Sequence, residues 1–135
     1  MSTLGSQDQM AIARLVNAYA DGSDAKNWPQ IRECFVATAQ FEDYKGGKLC
    51  GEDVIVAAFR PMLEPFPTTQ HLIGVPYMRS YDGDTAVGVL YCIGTHVLPG
   101  ALGGEVCSVG VRYDDAYINT ATGGRSADAR SRLCG

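Results

Sequence analysis

The chain has 135 residues, 46% of them hydrophobic and 19% charged, which supports one folded domain with a buried core and excludes extended disorder. A net charge of −4 without any run of Lys or Arg argues against nucleic acid and anionic membrane as partners. No apolar run is long enough to span a bilayer and Met1 to Gln9 is too polar for a signal segment, so a soluble, cytoplasmic protein is expected.

Ser6-Gln7-Asp8-Gln9 fits a capping box with Ser6 as N-cap, and Ile12, Leu15, Val16 and Tyr19 then recur at helical spacing until Gly22 ends the pattern. Asn27 caps a second, shorter helix through Trp28, Ile31, Cys34 and Phe35, with Pro29 in its first turn. Ala39 to Tyr44 reads as a strand, Lys45-Gly46-Gly47-Lys48 as a hairpin turn, and Leu49-Cys50 as a short return strand. Gly51-Glu52-Asp53 opens a third helix with acids at its positive end. Val54, Ile55, Ala58 and Phe59 face inward along it, and Pro61, Pro65 and Pro67 bend and then stop it.

From Thr68 the period changes to two. Thr68 to Arg79 is a long strand, bulged near Gly74-Val75-Pro76, and Asp82-Gly83-Asp84 turns the chain. Thr85 to Leu98 is a second long strand, Pro99 to Gly104 a loop, Glu105 to Asn119 a third strand, and Thr120 to Gly124 a turn. Arg125 to Leu133 is a last strand with few large apolar residues. No repeat or linker divides the chain, so residues 1–135 form a single domain. Helices gathered on one face of a curved antiparallel meander make an α+β domain with a conical cavity between the layers.

Cys34, Cys50, Cys92, Cys107 and Cys134 are odd in number, widely spaced and without a C-x-x-C pair, so they read as small apolar residues in a reducing compartment. The same scatter, with only two histidines, points to no metal site. His71 is one of those two histidines and lies in a half-buried strand, where its ring needs a polar partner. A carboxylate at the end of the first helix can supply it, and the pair would be a general base. Asp24 and Asp21 both stand near that end.

The segment Tyr19 to Phe35, with Asp24-Ala25-Lys26-Asn27-Trp28 inside it, the segment Thr69-Gln70-His71-Leu72-Ile73-Gly74 and the turn Asp82 to Ala86 resemble the NTF2-like superfamily in its SnoaL-like branch. That branch includes scytalone dehydratase, lindane dehydrochlorinase and bile-acid 7α-dehydratase. The resemblance runs from Ala11 to about Gly124 and implies a cystatin/NTF2-like α+β barrel, with helices packed in a strongly curved sheet. It implies that His71 is the base, that Asp24 orients it, and that Tyr19 matches a tyrosine of the bile-acid enzyme. His96 matches a second histidine of scytalone dehydratase, and Tyr44 lies near a tyrosine there that helps hold a water against the substrate carbonyl. Two polar positions of that enzyme fall on Val111 and Tyr113, and the usual Gly-Trp start of the last strand is Gly123-Gly124, so the resemblance does not carry that enzyme's substrate over to this chain.

Each of these residues also has a plainer reading. His71 can be a core histidine bonded to backbone, and Asp24 a turn cap before Asn27. Tyr19 can be core with its hydroxyl meeting any partner. His96 fits a pocket wall or a rim, and Tyr113 and Tyr117 a pocket lining or an interface. Arg112, Asp114 and Asp115 read as a solvated or subunit-contact group.

The expected function is a lyase of the dehydratase type that needs no cofactor and acts on a small, largely apolar cyclic molecule. Catalysis would fall to His71, Asp24 and Tyr19, and binding to His96, Tyr44, Val16, Phe59, Cys92 and Tyr113. An isomerase or polyketide cyclase would share the first step. A non-catalytic binding or assembly module, including a dioxygenase β-subunit, is the alternative. Val87, Val89, Tyr91, Ile93 and Val97 form an apolar row on one strand side, from which a homo-oligomer, dimer or trimer, is expected.

Overall fold

Helix α1 (Ser6–Ala25) forms over the stretch of helical apolar spacing and buries Ile12, Leu15, Val16 and Ala20. Its two ends differ from the sequence expectation. Gly5, not Ser6, is the N-cap, and no side chain caps the helix there. Gln9 turns its amide back onto the Leu4 carbonyl instead (3.1 Å). Gly22 does not end the helix but lies buried inside it, where an added Cβ would stand 3.1 Å from Ile31 Cγ1. The glycine serves helix–helix approach, and Lys26 closes the helix in the left-handed region at φ 52°. Asp24 therefore sits in the last helical turn.

Helix α2 (Trp28–Glu33) starts as expected, with the Asn27 side chain accepting from the Gln30 N–H and Pro29 in the first turn. It ends before Phe35, which opens strand β1 (Phe35–Glu42). The reason is tertiary: the buried Phe35 ring packs edge-on against Tyr19, Phe41 and Phe59. Strand β2 (Lys48–Cys50) returns antiparallel to β1 through a turn built on the Asp43 carboxylate, which accepts from the Lys45 and Gly47 N–H groups. Helix α3 (Glu52–Leu63) buries Ile55, Phe59 and Leu63, whereas Val54 points to solvent. Buried positions four apart, at 55, 59 and 63, are the face turned to the core. Pro61 stays within the helix, and Pro65 and Pro67 follow it.

The computed structural model describes residues 4–43, 45–100, 105–120 and 123–134, the last strand by its backbone. The rest of the sheet is β3 (Thr69–Ile73), β4 (Tyr77–Tyr81), β5 (Thr85–Val97), β6 (Val106–Thr120) and β7 (Gly123–Cys134). The expected long strand from Thr68 breaks at residues 74–76 into β3 and β4, which both pair with β5. Asp82 makes the next turn by accepting from the Asp84 and Thr85 N–H groups, while Gly83 takes φ 101°. The strand order is β2-β1-β7-β6-β5-β3, antiparallel except for the β1–β7 pair. Part of the Pro99 to Gly104 loop and of the turn after Thr120 lies outside the described residues.

Between helices and sheet lies an aromatic cluster. Tyr19, Phe35, Phe41, Phe59 and Tyr113 meet edge-to-face, the closest pair being Phe41 and Phe59 at 5.0 Å between centroids. On the opposite face Tyr91 and Ile93 are 59% and 51% exposed, and Val87, Leu72 and Tyr77 are exposed with them. Val89 departs from the expected row: it is buried at 3%, because its cross-strand neighbours Tyr77 and Asp114 flank it on both sides. Val97 is half-buried. Among the described residues, no helix is long and apolar enough to cross a membrane.

Two of the cysteines behave as core residues: Cys34 and Cys92 are buried. Cys50 and Cys107 are exposed, each on a solvent-facing strand position. Burial, with the Asp24 carboxylate adding to it, pushes the Cys92 thiol up from 9.0 to about 11. Burial likewise raises the Tyr19, Tyr113 and Tyr117 phenols.

Two outcomes are expected. Gly22→Val should lower stability by about 1–3 kcal/mol in urea unfolding, because Ile31 is fully buried and cannot yield. The native state also holds the Cys92 proton more tightly than the unfolded chain does. That contribution is complete below the ordinary thiol value of 9.0 and is lost as pH rises through about 11, so stability measured by circular dichroism should fall across that window. A flat profile there would contradict the burial of these groups.

Candidate functional site

Asp24 is the meeting point of α1 and β3. Its Oδ1 lies 2.7 Å from His71 Nδ1 and accepts from the Thr69 hydroxyl at 3.0 Å. Its Oδ2 accepts from the His71 backbone N–H at 3.1 Å. Thr69 and His71 are alternate residues of one strand, so both side chains leave the same face and reach the same carboxylate. Asp21, the other aspartate near the helix end, accepts from Gln30 Nε2 at 2.9 Å and has its place on the outer surface. The helix extension past Gly22 is what selects Asp24.

A carboxylate against Nδ1 places the ring proton on that nitrogen and leaves the Nε2 lone pair available. The pair is largely shielded but not sealed, with side-chain exposures of 10% for His71 and 29% for Asp24. In the sheet, His71 stands opposite Gly94 and Thr69 opposite His96. A Cβ at Gly94 would lie 3.7 Å from His71 Nε2 and 3.2 Å from His96 Cε1, so both imidazoles rest over the bare glycine. Their centroids are 5.9 Å apart, edge to face, and the Phe66 ring packs against His96 at 4.8 Å.

A second polar group lies elsewhere in the cone. The hydroxyls of Tyr19 and Tyr113 are 3.4 Å apart, and Tyr117 donates to Asp115 Oδ2 at 2.8 Å. Burial keeps these phenols protonated, so they can act as neutral hydrogen-bond donors. With Val16 and Leu90 these four residues line a cavity with about 30 Å³ of water-accessible space. Gly94, opposite His71, is four residues along β5 from Leu90, opposite Tyr113, which is roughly 13 Å of strand.

Of the residues expected to share one pocket, Val16, Tyr19 and Tyr113 line this cavity, whereas His71, His96, Phe59 and Cys92 do not. Phe59 belongs to the aromatic cluster, and those rings take up space expected to be empty. Tyr44 lies outside the described residues. Asp115 is a further correction: it is not solvated but buried at 6%. The alternation 113, 115, 117 already places it on the face of the two tyrosines. At the alternate positions of the same strand Arg112 pairs with Asp114 at 3.0 Å, half-buried. Thr69 had no role in the sequence reading, although its spacing of two from His71 carries the signal. Among the described residues, no three His, Cys, Asp or Glu side chains group as metal ligands.

The profile of the SnoaL-like domain matches residues 6–127. No curated protein sequence matches at a significant level. Among solved structures, a candidate aromatic ring hydroxylase from Novosphingobium aromaticivorans superposes with a TM-score of 0.86 at 23% identity, over 98% of this chain and 93% of that one. A candidate dehydratase of the NTF2-like family from Streptomyces avermitilis gives 0.85 at 10% identity, over 97% and 99%. A type 2 hexachlorocyclohexane dehydrochlorinase gives 0.82 at 14% identity, over 94% and 85%. At these identities the structures share the fold, and it is the profile, spanning nearly all of α1 to β7, that makes this protein a member of the SnoaL-like domain family with the NTF2-like α+β fold.

Proposed function

We propose that the protein is a lyase in which His71 Nε2 removes a proton from carbon of a small, largely apolar cyclic substrate. The observation that carries this reading is the 2.7 Å contact of Asp24 with Nδ1, which orients the ring with its other nitrogen unbonded to the carboxylate. The C–H electron pair becomes the new carbon–carbon double bond as the leaving group departs from the adjacent carbon with its own pair. Asp24 stabilises the imidazolium formed in that step. His96 stands beside His71 and would donate a hydrogen bond to a departing hydroxyl, which takes its proton from solvent. Tyr19 and Tyr113 would donate to a polar group at the far end of the substrate. The names of two structural neighbours, a dehydratase and a dehydrochlorinase, both describe eliminations and support the class.

A binding or assembly module is the second reading, favoured by the small cavity and the aromatic cluster. The name of the ring-hydroxylase neighbour is consistent with a subunit of that kind. Assembly belongs to the proposal under either reading: the exposed row Leu72, Tyr77, Val87, Tyr91 and Ile93 would be covered by a second copy of the chain.

Turnover assays against hydroxylated and halogenated cyclic compounds decide between the readings. His71→Ala should abolish turnover and leave the circular dichroism spectrum unchanged. Asp24→Asn should keep ligand binding and slow turnover by about 10²–10⁴, the contribution of general acid–base catalysis. Wild-type rates in both variants would end the lyase reading. Light scattering at micromolar concentration should give a mass above one chain, and a monomer would count against the covered face.

A further inference from the structure

Lys26 holds a conformation that glycine adopts at lower cost. It is the one non-glycine residue with positive φ among the described residues, closing α1 at φ 52°. Its side chain leaves the helix end and donates from Nζ to the Phe66 carbonyl at 2.5 Å. Phe66 lies in the short segment that joins α3 to β3. That segment is pinned at both ends, by the Phe66 N–H on the Leu63 carbonyl and by the Val97 N–H on the Thr68 carbonyl. Between these points Pro65 and Pro67 have no N–H to give, so Lys26 supplies a cross-tie from another element. The Phe66 ring packs on His96, and His96 on His71.

These contacts make a closed circuit. Asp24 and Lys26, two residues apart on one helix end, hold His71 and the Phe66 segment respectively, and the two held groups meet through His96. With Asp24 on the Nδ1 side, Gly94 beneath and only 10% of the His71 side chain exposed, the approach to Nε2 is narrow and would widen if a wall moved. Among the described residues that contact the two histidines, the others belong to a helix end and paired strands, and the Phe66 segment lacks regular structure.

We propose that residues 64–68 are a strap over the His71–His96 edge of the site and that Lys26 is its latch: ligand entry breaks the Lys26–Phe66 bond and swings the Phe66 ring off His96. Its consequence for turnover rests on the lyase reading, but the strap itself is tested without turnover. In this arrangement Lys26 is a positioning residue, acting on the two histidines through Phe66. The ligand it admits is one whose ring can take the place of the phenyl group against His96, an aromatic or other flat cyclic compound.

The test is Lys26→Gly, which suits the backbone better than lysine and removes only the ammonium and its stem. Its melting temperature should equal or exceed that of the wild type. Modification of His71 and His96 by diethyl pyrocarbonate, followed by peptide mass spectrometry, should be about tenfold faster, the shift expected from losing one hydrogen bond to a charged group. Phe66→Ala should give a similar increase, and the double variant should be no faster than Phe66→Ala alone, because both changes open the same strap. If Lys26→Gly folds poorly, Lys26→Met removes the same donor and should show the same increase. Unchanged modification rates in a folded latch variant, or rates that multiply in the double variant, would overturn the proposal. Faster modification together with full turnover in His71→Ala would keep the strap and reject the lyase reading.

Discussion

One carboxylate in the last turn of α1 accepts three hydrogen bonds from two alternate residues of β3, and the geometry of the site follows from that junction. For Asp24 to be there, α1 must run a turn beyond Gly22. For the helix to do so while α2 packs beside it, residue 22 must lack a side chain, since Ile31 occupies the space where one would go. Lys26 then ends the helix in a left-handed conformation, and its ammonium reaches the segment before β3. Helix length, helix–helix contact and the orientation of an imidazole are thus one linked choice.

The sheet contributes in a different way. Opposite His71 stands a glycine, and opposite Thr69 stands His96, so the cross-strand register of β3 and β5 sets two imidazoles side by side over bare backbone. Further along β5 the same inward face meets Tyr113, Asp115 and Tyr117 of β6. The molecule therefore has two polar centres in one apolar cone, one able to accept a proton and one rich in neutral phenols. Between the layers, edge-packed rings contribute stability through buried area and quadrupole geometry while leaving little free volume.

Much of this was legible in the sequence, and the physical reasons are local. Helical spacing of Ile12, Leu15, Val16 and Tyr19, the Asn27 cap, the Asp82 turn and the period of two after Thr68 each reflect interactions within a few residues, so pattern alone located the elements. The pairing of Asp24 with His71 was legible as well, as a resemblance carried by Asp24 to Trp28 and Thr69 to Gly74, but spacing by itself left Asp21 open.

What the tertiary structure decided are properties of contacts distant in sequence. Gly22 reads as a helix stop until Ile31 is seen against it, and Phe35 reads as helical until its ring is placed among Tyr19, Phe41 and Phe59. Asp115 reads as a surface charge until its strand is set in the sheet, and Val89 as an exposed residue until Tyr77 and Asp114 flank it. The cavity's position, away from His71 and beside Tyr113, depends on how five aromatic rings share one volume. Periodicity reports which face of an element is apolar. It carries no information on which other element occupies the facing space, and that occupancy decides where a helix ends, which carboxylate meets the imidazole and where room for a ligand remains.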